Sequence, residues 1–294
     1  MPEGKIIKAL AGFYYVLTDE KKVIQCRGRG VFRKNKISPL VGDEVVFQAD
    51  NDQEGYILEI RERKNELVRP PIANVDQAIL IFSSVEPDFS TGLLDRFLVL
   101  IEFNRIRPII CISKMDLTSE DQRKAIEAYA AQYEKAGYQV LLTSSVTEDG
   151  IQQLLPLLEG EISVFAGQSG VGKSSLLNVL KPDLELETND ISTHLGRGRH
   201  TTRHVELIEI GDGLVADTPG FSSLEFTEIE VEDLNYCFPE IEEASHRCKF
   251  RGCLHVQEPK CAVKQAVDNG EIPDYRYEHY KLFLQEIKDR KPRY

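Results

Sequence analysis

The sequence predicts a multidomain α/β chain in three parts: a small N-terminal β-barrel, a central mostly parallel sheet with flanking helices, and a helical C-terminal unit that binds a metal ion. Three observations carry this. Residues 1–70 hold short runs rich in Val, Ile, Tyr and Phe, separated by turn residues. From Ile72 onward, apolar runs alternate with helical stretches, the pattern of an open parallel sheet covered on both faces. Late in the chain, three cysteines and a histidine crowd between Cys248 and Cys261. The expected divisions are 1–70, 71–225 and 226–294.

Composition narrows the class. Of 294 residues, 41% are hydrophobic, enough for true cores. No apolar run approaches a membrane span, and Met1-Pro2-Glu3-Gly4-Lys5 does not read as a signal peptide, so a soluble cytoplasmic protein is expected. In that setting Cys26, Cys111, Cys237, Cys248, Cys253 and Cys261 read as thiols or metal ligands rather than disulfides. A net charge of −12 argues against a simple nucleic-acid binder. The charge is uneven, however. Residues 1–70 carry 13 Lys and Arg against 11 Asp and Glu, a balance of +2 that leaves −14 for the rest. Basic residues gather at Lys21, Lys22, Arg27, Arg29, Arg33, Lys34 and Lys36, and at Arg61, Arg63, Lys64 and Arg69. That asymmetry fits an anionic partner for the N-terminal part and, from charge alone, equally a solvated charged rim.

Taken in order, strands are expected within Ile6–Leu17, Lys22–Phe32, Glu44–Gln48 and Tyr56–Ile60, about five in all, which suits an RNA-binding barrel of the OB type. Arg69-Pro70-Pro71 reads as a linker. Asp76–Phe82 is a nearly continuous apolar run, as a parallel strand buried on both faces requires. A helix over Leu93–Phe103 and a strand over Pro108–Ser113 follow. Ser119 starts a helix to about Lys135, with Gln122 as its capping-box partner. Gln139–Leu142 is a strand, Ile151–Leu158 a helix containing Pro156, and Glu161–Ala166 a strand. Val205–Ile210 and Leu214–Asp217, joined by Gly211-Asp212-Gly213, read as a hairpin added to the sheet. The last helix runs from about Tyr275 to Arg290 and is expected to pack on the metal unit.

The chemistry centres on Gly167-Gln168-Ser169-Gly170-Val171-Gly172-Lys173-Ser174, which fits the phosphate-loop pattern at every fixed position and lies between a strand and a helix start at Ser175. Glycines there let backbone N–H groups turn towards phosphate oxygens. The helix N-terminus adds partial positive charge. Lys173 is expected on the β/γ-phosphates and Ser174 on Mg²⁺. Ser113-Lys114-Met115-Asp116, at a strand end, resembles the [NT]-K-x-D guanine motif, with Ser in the first position. Its aspartate would accept two hydrogen bonds that adenine cannot offer, which argues against an ATP-dependent enzyme. Thr143-Ser144-Ser145 resembles the loop that supports the guanine. Asp217-Thr218-Pro219-Gly220 matches D-x-x-G, with Asp217 towards Mg²⁺ and the Gly220 N–H towards the γ-phosphate. Gly198-Arg199-His200-Thr201-Thr202-Arg203 reads as the first switch; Thr202 is favoured as a Mg²⁺ ligand, and Thr201 stays open. Cys248, Cys253, His255 and Cys261 form C-x4-C-x-H-x5-C, a donor set suited to one closed, structural tetrahedral Zn²⁺ site. Cys237 and His246 lie nearby and are not expected to be ligands.

The guanine motif precedes the phosphate loop, whereas an ordinary GTPase has the reverse order. A parallel sheet still gathers these loops at its strand carboxyl ends, so the chain reads as a circularly permuted GTPase. Over almost its whole length it resembles the ribosome small-subunit-dependent GTPases of the RsgA, YjeQ or YloQ type. That resemblance implies hydrolysis of GTP to GDP stimulated by the small ribosomal subunit, contact with 16S rRNA, and a role in late 30S maturation, by a monomer with no membrane or DNA partner. It also points to His200. The residue after Gly220 is Phe221, where many GTPases have a glutamine that orients water, and His200 is the nearest polar replacement. The alternative is a nucleotide-gated rRNA-binding adaptor with incidental turnover.

Overall fold

The computed structural model describes residues 1–30, 32, 37–49, 51, 53–68, 70–184, 205–217 and 224–290. Five strands open the chain: β1 (Glu3–Leu10), β2 (Phe13–Thr18), β3 (Val23–Gly28), β4 (Glu44–Ala49) and β5 (Glu54–Ile60). They pair in the order β1-β2-β3-β5-β4, and β4 returns to β1 to close the barrel; only β3–β5 is parallel. Alternation fills the interior with Ile6, Val16, Ile24, Cys26, Val45, Phe47 and Ile57. The run expected over Ile6–Leu17 is two strands, because Ala11 and Gly12 turn the chain with positive φ. The run expected over Lys22–Phe32 stops at Gly28; Phe32 lies beyond it and packs on the barrel core.

The expected linker belongs to a built joint. β6 (Glu66–Val68) and β7 (Pro71–Ala73) form a hairpin, with Leu67 and Ile72 buried. Arg63 holds the fully buried Asp43 with two hydrogen bonds, Nε–Oδ1 at 2.7 Å and Nη2–Oδ2 at 2.8 Å.

The central part then alternates: β8 (Gln77–Ser83), α1 (Thr91–Phe103), β9 (Arg107–Ser113), α2 (Glu120–Lys135), β10 (Gln139–Leu142), α3 (Leu155–Leu158), β11 (Ile162–Ala166), α4 (Lys173–Leu180), β12 (Glu206–Ile210) and β13 (Gly213–Asp217). Ser90 caps α1, and Ser119 with Gln122 makes the capping box on α2. The helix expected over Ile151–Leu158 is a 3₁₀ turn followed by the four-residue α3, with Pro156 in its first turn. Pro156 supplies no N–H and accepts only such a position.

Strand order is β10-β9-β8-β11-β13-β12, parallel except for β12, which runs antiparallel to β13. All of β8 is buried. Its residues alternate between faces: Ile79 and Ile81 join a core with Leu158, Phe165, Leu176 and Leu177, while Leu80 and Phe82 join Leu94, Phe97, Ile101 and Ile126. The sheet does not stop at β12. β1 pairs with it at Lys8 and Glu206, so the barrel continues the sheet and shares its core.

The C-terminal unit holds α5 (Pro239–Ser245), α6 (Ala262–Asp268) and α7 (Asp274–Asp289) around a separate core of Phe226, Ile229, Phe238, Ile241, Val263, Tyr280 and Phe283, which Val99 of α1 enters. Among the described residues, no helix is long and apolar enough to cross a membrane.

Candidate functional site

Parallel pairing places the carboxyl ends of β8, β9, β10, β11 and β13 on one edge of the sheet. The glycine loop leaves β11 there and enters α4 at Lys173. Gly167 has φ +147°, and a Cβ on it would lie 2.1 Å from the Ile81 carbonyl oxygen, so only glycine lets the loop cross β8 so closely. Gln168, Ser169 and Gly170 are exposed at the rim, Val171 and Ser174 are buried, and Ser175 is half-buried. Lys173 Nζ donates to the carbonyls of Gly167 (3.0 Å) and Gln168, closing the loop on itself around the amine that a phosphate would meet.

The loops from β9 and β10 meet this one. Ser113 Oγ reaches the carbonyls of Phe82 (3.2 Å) and Val171 (2.5 Å), tying the guanine-type motif to the phosphate loop. A serine in the first motif position therefore makes a brace of its own. Lys114 adopts φ +60°. Its carbonyl accepts from Ser84 Oγ (3.0 Å), and its Nζ donates to the Glu86 carbonyl. Met115 N donates to Thr143 O at 3.1 Å. Asp116 is exposed, and its Oδ1 accepts from Ser144 Oγ at 2.6 Å. Ser144 Oγ in turn accepts from the N–H groups of Val146 and Thr147, with Ser145 half-buried beside it. Beneath them Cys111 lies 3.3 Å from Thr143 Oγ1, and burial pushes its thiol up to about 11, so it is a core residue. Asp217 ends β13 opposite Glu206, at the same sheet edge. His200, Thr201, Thr202, Gly220 and Phe221 lie outside the described residues.

A second cluster stands apart. The ligand atoms of Cys248, Cys253, His255 and Cys261 lie within 4.8 Å of one another. Cys248 Sγ is 3.8 Å from Cys261 Sγ and 3.6 Å from His255 Nδ1. A tetrahedron of Zn–S bonds has edges of about 3.8 Å, so the spacing fits. Burial pushes the Cys253 thiol up to about 12 and raises Cys261. Burial also lowers His255, keeping its imidazole neutral. Its Nε2 lies 2.9 Å from Asn235 Oδ1. A donating Nε2–H leaves the Nδ1 lone pair facing the sulfurs, the usual second-layer support for a metal-binding histidine. Asn235 Nδ2 donates to Ser245 Oγ at 3.2 Å. Asn235 stands 20 residues before His255, so the spacing of the cysteines gave no sign of it. The last helix packs here as expected: the Tyr277 hydroxyl donates to the His255 carbonyl at 2.6 Å.

Motif-bearing loops in this spatial arrangement, but in rotated chain order, define a circularly permuted GTPase of the phosphate-loop class. The family model described as RsgA GTPase matches residues 60–227, and the RsgA N-terminal domain model matches residues 3–57. The chain is 72% identical to the small ribosomal subunit biogenesis GTPase RsgA of Bacillus anthracis over 294 residues, with 100% of both chains covered. It is 67% identical to the protein of that name from Bacillus subtilis strain 168 over 298 residues, again covering both completely. Among solved structures it superposes on YloQ, a circularly permuted GTPase, with TM-score 0.88 and 62% identity, covering 100% of this chain and 97% of that one. It superposes on YjeQ from Thermotoga maritima with TM-score 0.89 and 38% identity, covering 99% of each. The chain belongs to the RsgA GTPase family.

Proposed function

We propose that the protein binds GTP across the edge where the 113–116, 143–145 and 167–174 loops meet, and hydrolyses it to GDP when engaged by the small ribosomal subunit late in 30S maturation. The convergence of those three loops on one sheet edge carries the reading. The naming of its relatives as small ribosomal subunit biogenesis GTPases supports the partner.

In this reading Asp116 pairs with the guanine, Lys114 covers the base, and Ser144 and Ser145 flank it. The backbone from Gly167 to Gly172 cradles the phosphates, and Lys173 leaves the Gly167 and Gln168 carbonyls for the β/γ-phosphates. Ser174, Thr202 and Asp217 hold Mg²⁺, whose part is to neutralise phosphate charge. The Gly220 N–H contacts the γ-phosphate, and the neutral His200 imidazole accepts a hydrogen bond from the attacking water. Cys248, Cys253, His255 and Cys261 hold one structural Zn²⁺. Basic residues of the 1–70 barrel meet 16S rRNA, the 71–225 part does the chemistry, and 226–294 completes a cytoplasmic monomer.

The test is multiple-turnover hydrolysis with and without purified small subunits. GTP turnover should rise strongly with subunits, and ATP turnover should stay at background. His200→Ala should keep nucleotide and subunit binding and lose about 10²-fold of stimulated turnover. Unchanged stimulated turnover in that variant would remove His200 from the mechanism.

A further inference from the structure

The C-terminal unit packs on α1, the helix that follows the loop in contact with Lys114. α7 lies against α1 closely enough that a Cβ on Gly92 would sit 3.3 Å from His279 Nε2. One turn further along α1, Asp95 is fully buried. Its Oδ1 accepts from Arg276 Nη1 (2.6 Å) and from the Tyr133 hydroxyl (2.8 Å), and its Oδ2 lies 2.6 Å from His279 Nδ1. Arg276, itself buried, also binds both carboxylate oxygens of Glu240, at 2.7 and 3.0 Å. α1 cannot slide on α7 without uncovering a buried charge, and that is expensive.

The start of α1 controls the loop before it. Residues 84–90 run directly into the Ser90 cap, and this loop supplies the contacts to Lys114 from Ser84 and Glu86. A lysine at φ +60° is held there only where its surroundings over-determine it. The loop is anchored in turn by Phe89, whose ring lies 6.3 Å from Phe82 and 5.8 Å from Tyr129. Tyr129 meets Tyr275 of α7 edge-on at 5.7 Å. Rings therefore run from α7 to the loop beside the base lysine, parallel to the ionic contacts at Asp95.

We infer that Tyr275 and Arg276 are positioning residues for the nucleotide base, acting through α1 and Phe89 on Lys114. This rests on the reading of Lys114 and Asp116 as the guanine-binding residues. The phosphate loop follows β11, on the other side of β8 from β9, and the contacts traced from α7 end at Lys114, so the effect should fall mainly on the base.

The experiment measures affinity of the full chain for GDP and for inorganic tripolyphosphate, a ligand without a base. Tyr275→Ala should weaken GDP about three- to tenfold, the range for lost aromatic pairs, and leave tripolyphosphate unchanged. Tyr275→Phe keeps the ring and should bind both as the parent does. Equal weakening of both ligands, no weakening of GDP, or a Tyr275→Phe protein as weak as Tyr275→Ala overturns the inference. Asp116→Asn is measured alongside. It should lose GDP and keep tripolyphosphate. Retention of GDP affinity there overturns the guanine reading and this inference with it, whereas its loss beside a normal Tyr275→Ala overturns the inference alone.

Discussion

The two units that flank the GTPase core are attached by different physics. The barrel joins by continuing the sheet: β1 pairs with β12, and Ile6, Val16 and Phe47 share one apolar cluster with Val205 and Leu207. The C-terminal unit has a separate core, which α1 enters with Val99, and no strand of it pairs with the sheet among the described residues; its polar joints are chiefly Arg276 on Asp95 and Arg96 on Glu286. Main-chain pairing plus shared apolar burial should make the barrel and the core one cooperative body. A small core stapled by four ligands, docked by ion pairs and one helix face and joined by no strand pairing among the described residues, should open on its own.

Metal removal breaks the contrast hardest. Structural zinc sites in small domains carry about 10–16 kcal/mol of apparent binding energy. Chelation, or Cys253→Ala, should erase amide-exchange protection across α5, α6 and α7 while β1–β5 and β8–β13 keep theirs. Nucleotide should still bind, at the few-fold cost expected for losing the α7 contacts. Stoichiometric zinc should be found in the purified protein, and its absence would sink the assignment. Arg276→Met comes next. It takes the buried cation from Asp95, which keeps only Tyr133 and His279, and from the half-buried Glu240, a loss that should destabilise the C-terminal unit by about 3–5 kcal/mol in urea titrations followed by Tyr fluorescence or exchange. A loss spread evenly over barrel, core and C-terminal unit would erase the distinction. The smallest effect sharpens the other side. Lys8 meets Glu206 at 2.8 Å, with both side chains about one third exposed. Lys8→Ala should cost under about 1 kcal/mol, because register and apolar burial hold the seam. A second unfolding transition appearing in that variant would contradict a shared core.

The same contrast separates what the sequence reveals from what it hides. The eight residues from Gly167 to Ser174 form a contiguous, stereochemically demanding loop, so residue types alone mark it. The apolar run before it marks β11, and the runs at 76–82 and 108–113 mark β8 and β9. The capping box at Ser119 is equally local. The split of Ile6–Leu17 into β1 and β2 was hidden, since Ala11-Gly12 is a weak turn signal inside a continuous β-rich run. Of the expected linker, Pro71 opens β7 of a hairpin, since proline suits a tight turn as well as a tether, and Arg69 lies outside the described residues. Asn235 behind His255 and the Asp95–Arg276 pair, 181 residues apart, are tertiary facts with no sequence period. The β1–β12 seam, spanning 198 residues, is of the same kind.

The central position of β8 also has a consequence for synthesis. Its neighbours are β9, which follows it closely, and β11, which begins roughly eighty residues later. Emerging at about 5–20 residues per second, the chain presents β8, β9 and β10 for several seconds before Ile162–Ala166 arrives. Through that interval one side of β8 is an unpaired edge of seven residues that end up wholly buried, the kind of strand that recruits other chains. The rotated gene order thus makes this half-built sheet the point at which nascent chains most need shielding. A pause in translation between β10 and β11 should lower soluble yield more than the same pause placed after β13.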